Sequence, residues 1–155
     1  MHEEKIYIYT FYRFKDLESI SDIKYKLNNF TKEKKLFGTI LIANEGINGT
    51  VSGTEKNLDS LIAFIKKILK IKKFSFKISK NQFVPFYRLK IRLKKEIVTI
   101  GDKSIKPGKK AGKYIQPKNW DKIINDKNYL IIDTRNEYEV SIGTFKNASN
   151  PRTKS

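Results

Sequence analysis

Residues 36–52 read LFGTILIANEGINGTVS. The apolar and β-branched run from Leu36 to Ala43 predicts one strand, and Ile47 to Ser52 predicts another. Asn44-Glu45-Gly46 joins them as a tight turn, because Asn and Gly are the residue types that tolerate positive φ. Upstream, Lys5 to Phe14 (KIYIYTFYRF) is aromatic and β-branched almost throughout, which predicts a strand buried on both faces. Ile20, Ile23, Leu27 and Phe30, spaced by three and four, predict a helix before the hairpin, with Ser19 or Ser21 as its cap. Downstream, Thr54 is placed to cap a second helix with an apolar stripe of Leu58, Leu61, Ile62, Ile65, Ile68 and Leu69. Phe74 to Ile78 predicts a fourth strand. The order β-α-β-β-α-β is that of an α+β, ferredoxin-like fold, an antiparallel sheet with both helices on one face.

Beyond that unit, Tyr87 to Lys95 (YRLKIRLKK) alternates strictly between apolar and basic residues, and Ile97 to Ile100 either continues or returns the strand. Gly101 to Tyr114 (GDKSIKPGKKAGKY) has the composition of a linker. A new start comes at Pro117, with a short helix over Asn119 to Ile124 anchored by Trp120 and a strand over Tyr129 to Asp133. The expected organisation is a ferredoxin-like domain over 1–100, a linker over 101–116 and a partial domain over 117–155.

The chain has no cysteine, which excludes disulfides, thiolate metal sites and cysteine nucleophiles. Its one histidine, His2, lies at the N-terminus, so neither a zinc site nor a Ser/His/Asp set is expected. The acidic start at Glu3 and Glu4 is unlike a signal peptide, and no apolar run approaches the ~18 residues of a membrane span. The expected setting is cytoplasmic, with no membrane, no metal and no bound cofactor; oligomeric state is left open.

Net charge is +17, from 33 basic and 16 acidic residues. Such a field favours a polyanion, nucleic acid before an anionic membrane surface. The Lys, Ile and Asn usage of an AT-rich genome accounts for part of the excess, so placement matters more than the total. On the alternating strand, Leu89, Ile91 and Leu93 take one face and Arg88, Lys90, Arg92 and Lys94 the other. Residues two apart on a strand lie ~6.7 Å from one another, near the spacing of phosphates along an extended nucleic-acid strand. The four cations are therefore candidate RNA contacts; a solvated face or a lysine-guarded sheet edge explains them equally well. Phe83, Phe86 and Tyr87 could stack bases, although aromatics beside a strand more often belong to a core. Asn44, Glu45 and Asn48 could meet a base edge or a ribose, but side-chain capping of their own turn is the preferred reading.

Two apparent phosphate loops fail on context. Gly108-Lys109-Lys110-Ala111-Gly112-Lys113 is one residue short between its glycines and lacks the following Ser or Thr. Gly46-Ile47-Asn48-Gly49 lies between strands, where the KH clamp loop joins helices. Asp133, Glu137 and Glu139 cluster with Arg135, and local ion pairing is the default reading.

Three stretches together resemble one family. They are Gly38 to Gly53; Pro85 to Arg92 with Glu96 to Gly101; and Ile131 to Glu139 with Ile142 to Phe145 and Ala148 to Pro151. Along essentially the whole chain they are similar to the bacterial rhodanese-related tRNA uridine hydroxylases, the TrhO-like family. The resemblance implies an acylphosphatase-like N-terminal domain of ferredoxin-like topology, followed by an α/β rhodanese-like domain. It implies tRNA as partner, hydroxylation at C5 of the wobble uridine, and molecular oxygen with an unidentified reductant. The family ties that activity to a cysteine loop beyond the Asp-x-Arg and Glu-Tyr elements. The chain stops at Ser155, short of that loop, so no catalytic residue is carried over and hydroxylation is not expected of this chain alone. Asn147 stands where rhodaneses commonly have Gly, a mild change because Asn tolerates the left-handed region. A non-enzymatic RNA-binding module is the alternative, and a sulfurtransferase fragment a third. Acylphosphatase activity is not expected, because Phe14-Lys15-Asp16 offers no glycine-rich anion cradle. Residues beyond about Tyr138 are expected to lack fixed structure, or to be held only by the N-terminal domain, because so short a partial domain buries little surface.

Overall fold

A computed structural model of the chain describes residues 5–97 and 112–152. The chain divides into two compact units, Met1–Ala111 and Gly112–Ser155. The expected continuation over Val98–Ile100 and most of the expected linker lie outside the described residues.

The first unit runs β1 (Ile6–Phe14), α1 (Ile20–Thr31), β2 (Leu36–Ala43), β3 (Gly46–Gly53), α2 (Glu55–Ile68), β4 (Phe76–Asn81) and β5 (Leu89–Leu93). The sheet order is β4-β1-β3-β2-β5. Antiparallel pairing joins β1 to β3, β1 to β4 and β2 to β3, while β5 joins β2 in parallel. The first four strands are the expected ferredoxin-like sheet, and β5 extends it at the β2 edge.

Register decides what is buried. Tyr9 lies opposite Val51, Val51 opposite Gly38, and Ile40 opposite Ile91, so these residues share one face. That face meets Ile23 and Leu27 of α1 and Leu58, Leu61 and Ile65 of α2 in a single core. Fully burying one such aliphatic side chain is worth roughly 1.5–3 kcal/mol. The helices are also joined by Phe30 and Phe64, whose rings stack with centroids 4.0 Å apart. Tyr9 Oη donates to Asp59 Oδ1 at 2.8 Å, tying α2 to the sheet; burial, then Asp59, pushes the phenol above its usual range.

Several expectations change. β1 is not buried on both faces: Tyr9 and Phe11 are buried, but Thr10 and Tyr12 between and beyond them are exposed. With both helices on one side, an antiparallel sheet can leave its other face to solvent. Ser19 precedes α1 with φ of 51° and makes no side-chain cap, whereas Thr54 does cap α2 by accepting from the Asn57 N–H. The fourth strand begins two residues later than expected, at Phe76. In the hairpin, positive φ falls on Gly46 rather than Asn44. Gly38 and Gly46 have φ of 130° and 151°, and a Cβ on either would sit 2.1 Å from a backbone oxygen of the neighbouring strand.

In the second unit, a 3-10 turn over Pro117–Asn119 leads into α3 (Trp120–Asn125), and α4 spans Glu137–Ile142. The expected strand over Tyr129–Asp133 reduces to one parallel bridge between Ile132 and Ser149. Leu130 and Ile142 are 72% and 85% exposed, whereas Ile131 and Val140 are half-buried. The described stretch after Tyr138 completes α4 and then turns back to the bridge at Ser149. Asp133 organises it. The carboxylate accepts from Arg135 Nε and Nη2, from the Arg135 backbone N–H at 3.2 Å and from Thr144 Oγ1 at 2.7 Å. Arg135 Nη2 also donates to the Gly143 carbonyl at 2.6 Å. Asn136 and Glu139 form a capping box on α4, and Trp120 stacks on Phe145 with centroids 5.3 Å apart. Asn147 adopts φ of 63°, the conformation its residue type permits.

No helix among the described residues is long and apolar enough to cross a membrane.

Two expectations test these constraints. Gly38→Ala and Gly46→Ala should each lower stability by about 1–3 kcal/mol. Gly112→Ala, with nothing within 4 Å of its added methyl, should change little. Equal urea midpoints for the three variants would contradict this. Arg135, then Thr144, holds the Asp133 carboxyl well below the usual carboxylate range. A depressed folded pKa gives stability that is present above the unfolded value of about 3.9 and lost as pH falls below it. Fluorescence of the single tryptophan, Trp120, should report an acid transition below about pH 4 that Asp133→Asn removes.

Candidate nucleic-acid interface

The edge strand β5 sets the candidate site. Ile91 is buried opposite Ile40, so Lys90 and Arg92, one residue to either side, turn to the face away from the helices. Gly38 N–H donates to the Arg88 carbonyl at 3.1 Å and Lys94 N–H to the Ile42 carbonyl at 2.9 Å. These bonds extend the ladder one residue beyond each end of β5, carrying the alternation to Arg88 and Lys94. Arg88, Arg92 and Lys94 are exposed and Lys90 is half-buried. Among the described residues none of the four forms an ion pair, so their charge is not neutralised within the fold.

Two rows of side chains cross the open face from this edge. Lys77, Thr10, Thr50, Thr39 and Lys90 lie side by side on β4, β1, β3, β2 and β5. The Thr10 and Thr50 hydroxyl oxygens are 3.3 Å apart. The next row is Tyr12, Asn48, Leu41 and Arg92. Asn48 therefore shares a face with the cations.

Asn44 and Glu45 do not. Both belong to the turn, and their polar groups are occupied. The Asn44 carbonyl accepts from Leu17 N–H at 2.7 Å, and its side-chain amide donates to the Leu17 carbonyl at 3.3 Å. The Glu45 carbonyl accepts from Lys15 N–H at 2.9 Å, and its Oε1 accepts from Ile97 N–H at 2.6 Å. The preferred reading of the turn as self-capping becomes one of a turn clamped to the β1–α1 loop. The same bonds consume the Lys15 and Leu17 amides, which removes two donors that an anion cradle after β1 would need.

Thr10, Thr39, Thr50, Lys77 and Tyr12 were not singled out from sequence. The available signal was alternation within KIYIYTFYRF and FGTILIA, where polar residues interrupt the apolar ones. Phe83, Phe86 and Tyr87 are not core: Phe83 and Tyr87 are exposed and Phe86 is half-buried.

A family model described as the UPF0176 acylphosphatase-like domain matches residues 6–97. A curated protein from Picosynechococcus sp., tRNA uridine(34) hydroxylase, is 43% identical over 148 residues, which is 96% of this chain and 50% of that protein. The chain thus spans about half the length of this curated relative. Among solved structures, the BLUF protein BlrB in its dark state gives a TM-score of 0.47 at 14% identity, covering 63% of this chain and 78% of that one. An acylphosphatase from Coxiella burnetii gives 0.41 at 12% identity, covering 59% and 100%.

If the β5 cations contact a single-stranded backbone, reversing the charge of Arg88, Lys90, Arg92 and Lys94 together should flatten the log–log salt dependence of RNA binding. Four contacts predict a change in slope of about 3. Fluorescence anisotropy across a salt series measures it, and an unchanged slope would remove this strand from the interface.

Proposed function

Because the chain belongs to the UPF0176 family through its acylphosphatase-like domain, we propose that it is the tRNA-binding portion of a wobble-uridine hydroxylase. The observation that carries this reading is the 43% identity, over nearly the whole chain, to a tRNA uridine(34) hydroxylase. The unneutralised cations on β5 and the net charge of +17 support it, since polyanion binding needs both an attractive field and accessible cations. In this reading Arg88, Lys90, Arg92 and Lys94 hold phosphates, Asn48 meets sugar or base edges, and Asn44 and Glu45 shape the turn. A cytoplasmic setting follows from tRNA as partner.

Gly112–Ser155 corresponds in this reading to the opening of a rhodanese-like domain, in which the Asp133–Arg135 pair fixes the first turns. Hydroxylation of uridine inserts one oxygen atom and, with molecular oxygen as oxidant, needs two electrons from a reductant. The family resemblance ties that step to a cysteine, and the chain has none. This favours binding without hydroxylation as the activity of the chain by itself.

Expressed alone in cells that lack the modification, the chain should co-purify with tRNA at low salt and leave the wobble uridine unmodified. Mass spectrometry of digested tRNA reads the outcome, and recovery of 5-hydroxyuridine would sink the binding-only reading.

A further inference from the structure

The connection between β4 and β5 joins opposite edges of the sheet. It must cross four inter-strand spacings, about 19 Å. The seven residues from Gln82 to Arg88 reach about 23 Å when extended, enough to form a strap that bends at Gln82–Phe83 and again at Tyr87–Arg88. The strap starts beside the Ile6 end of β1 and ends beside Phe37 of β2. At its β5 end the strap borders an open cavity of about 370 Å³, lined by Pro85 to Arg88 with Gly38, Thr39 and Lys90.

We propose that this cavity holds one unpaired nucleotide of an RNA strand, its base against the Tyr87 ring and its phosphate between Arg88 and Lys90. The inference rests on the RNA-binding reading above and names the form of RNA that the site takes. The volume lies in the range of small-ligand sites. Tyr87 is fully exposed, so its ring contributes no packing to the fold, although it stands at the mouth of the cavity. An aromatic ring left wholly in water beside two unpaired cations matches what a flipped-out base and its phosphate need: a π-face and a neutralising charge. The Thr39 hydroxyl, free of hydrogen bonds within the described fold, supplies a polar contact at the cavity floor. A duplex keeps its base faces stacked inside and would offer Tyr87 nothing to meet.

Anisotropy with the full chain and a uridine-rich single-stranded octamer, compared with a blunt duplex of equal length, tests the proposal. Tyr87→Ala should weaken octamer binding about 5- to 100-fold and leave duplex binding and the octamer salt slope unchanged. Tyr87→Trp should restore the octamer. Because Tyr87 is fully exposed, neither substitution threatens folding. Octamer affinity within twofold of the parent in Tyr87→Ala would overturn the nucleotide site while the RNA-binding reading stands. Failure of both RNAs to bind at low salt would instead remove the RNA reading, and this occupant with it. Amide shifts at Thr39 and Arg88 should also respond to uridine monophosphate more strongly than to inorganic phosphate; equal responses would reduce the cavity to an anion site and overturn the role of the base.

Discussion

Burial of a single face of the sheet is the constraint on which the rest depends. Ile40, Ile42, Val51, Tyr9 and Ile91 all point to the helices, and successive residues on each strand point away. Because the side-chain period of a strand is two, slipping β5 by one residue would exchange Ile91 for a lysine or an arginine in the core. Taking an unpaired cation out of water costs several kcal/mol, more than any single buried aliphatic side chain returns. The hydrophobic alternation thus fixes where the cations stand as firmly as it fixes the core. A candidate interface made of Lys90 and Arg92 is the reverse side of the packing of Leu89 and Ile91.

Much of this was legible in the sequence, because apolar periodicity is a local signal. The limits of β2 agree with LFGTILIA to the residue, and the helical stripes of α1 and α2 emerge as buried faces. The alternation of YRLKIRLKK likewise gave the facing of β5, with Ile91 inside and Lys90 and Arg92 outside. What failed was non-local. KIYIYTFYRF looks uniformly apolar, because tyrosine and threonine serve a solvent face about as readily as an interior. Only the placement of both helices on one side shows which half is wet. The partner of β5 was equally hidden. A parallel neighbour some fifty residues earlier in the chain leaves no trace in either segment.

The turn and the second unit show the same division. Asn44 and Glu45 carry the polarity of a binding loop, yet the residues that engage them, Lys15, Leu17 and Ile97, are far apart in sequence. Asp133 and Arg135 are two residues apart, and their pairing could be read directly. That the same carboxylate also gathers Thr144, and Arg135 the Gly143 carbonyl, could not. These bonds give the segment after Tyr138 its form with almost no buried apolar surface.

β5 is held to the sheet by fewer strand partners than the three strands at its centre. Among the described residues β5 has one strand neighbour, β2, and its Ile91 shares the core with Ile23 and Leu27 of α1. Local opening of a protein favours such units, those with few partners and a long closing loop. Both edge strands, β4 and β5, are units of this kind, and β5 is the one that carries the row of cations. A strand of nucleic acid lying across β2 and β5 would bridge the seam between them, and binding there would be coupled to closure of that edge.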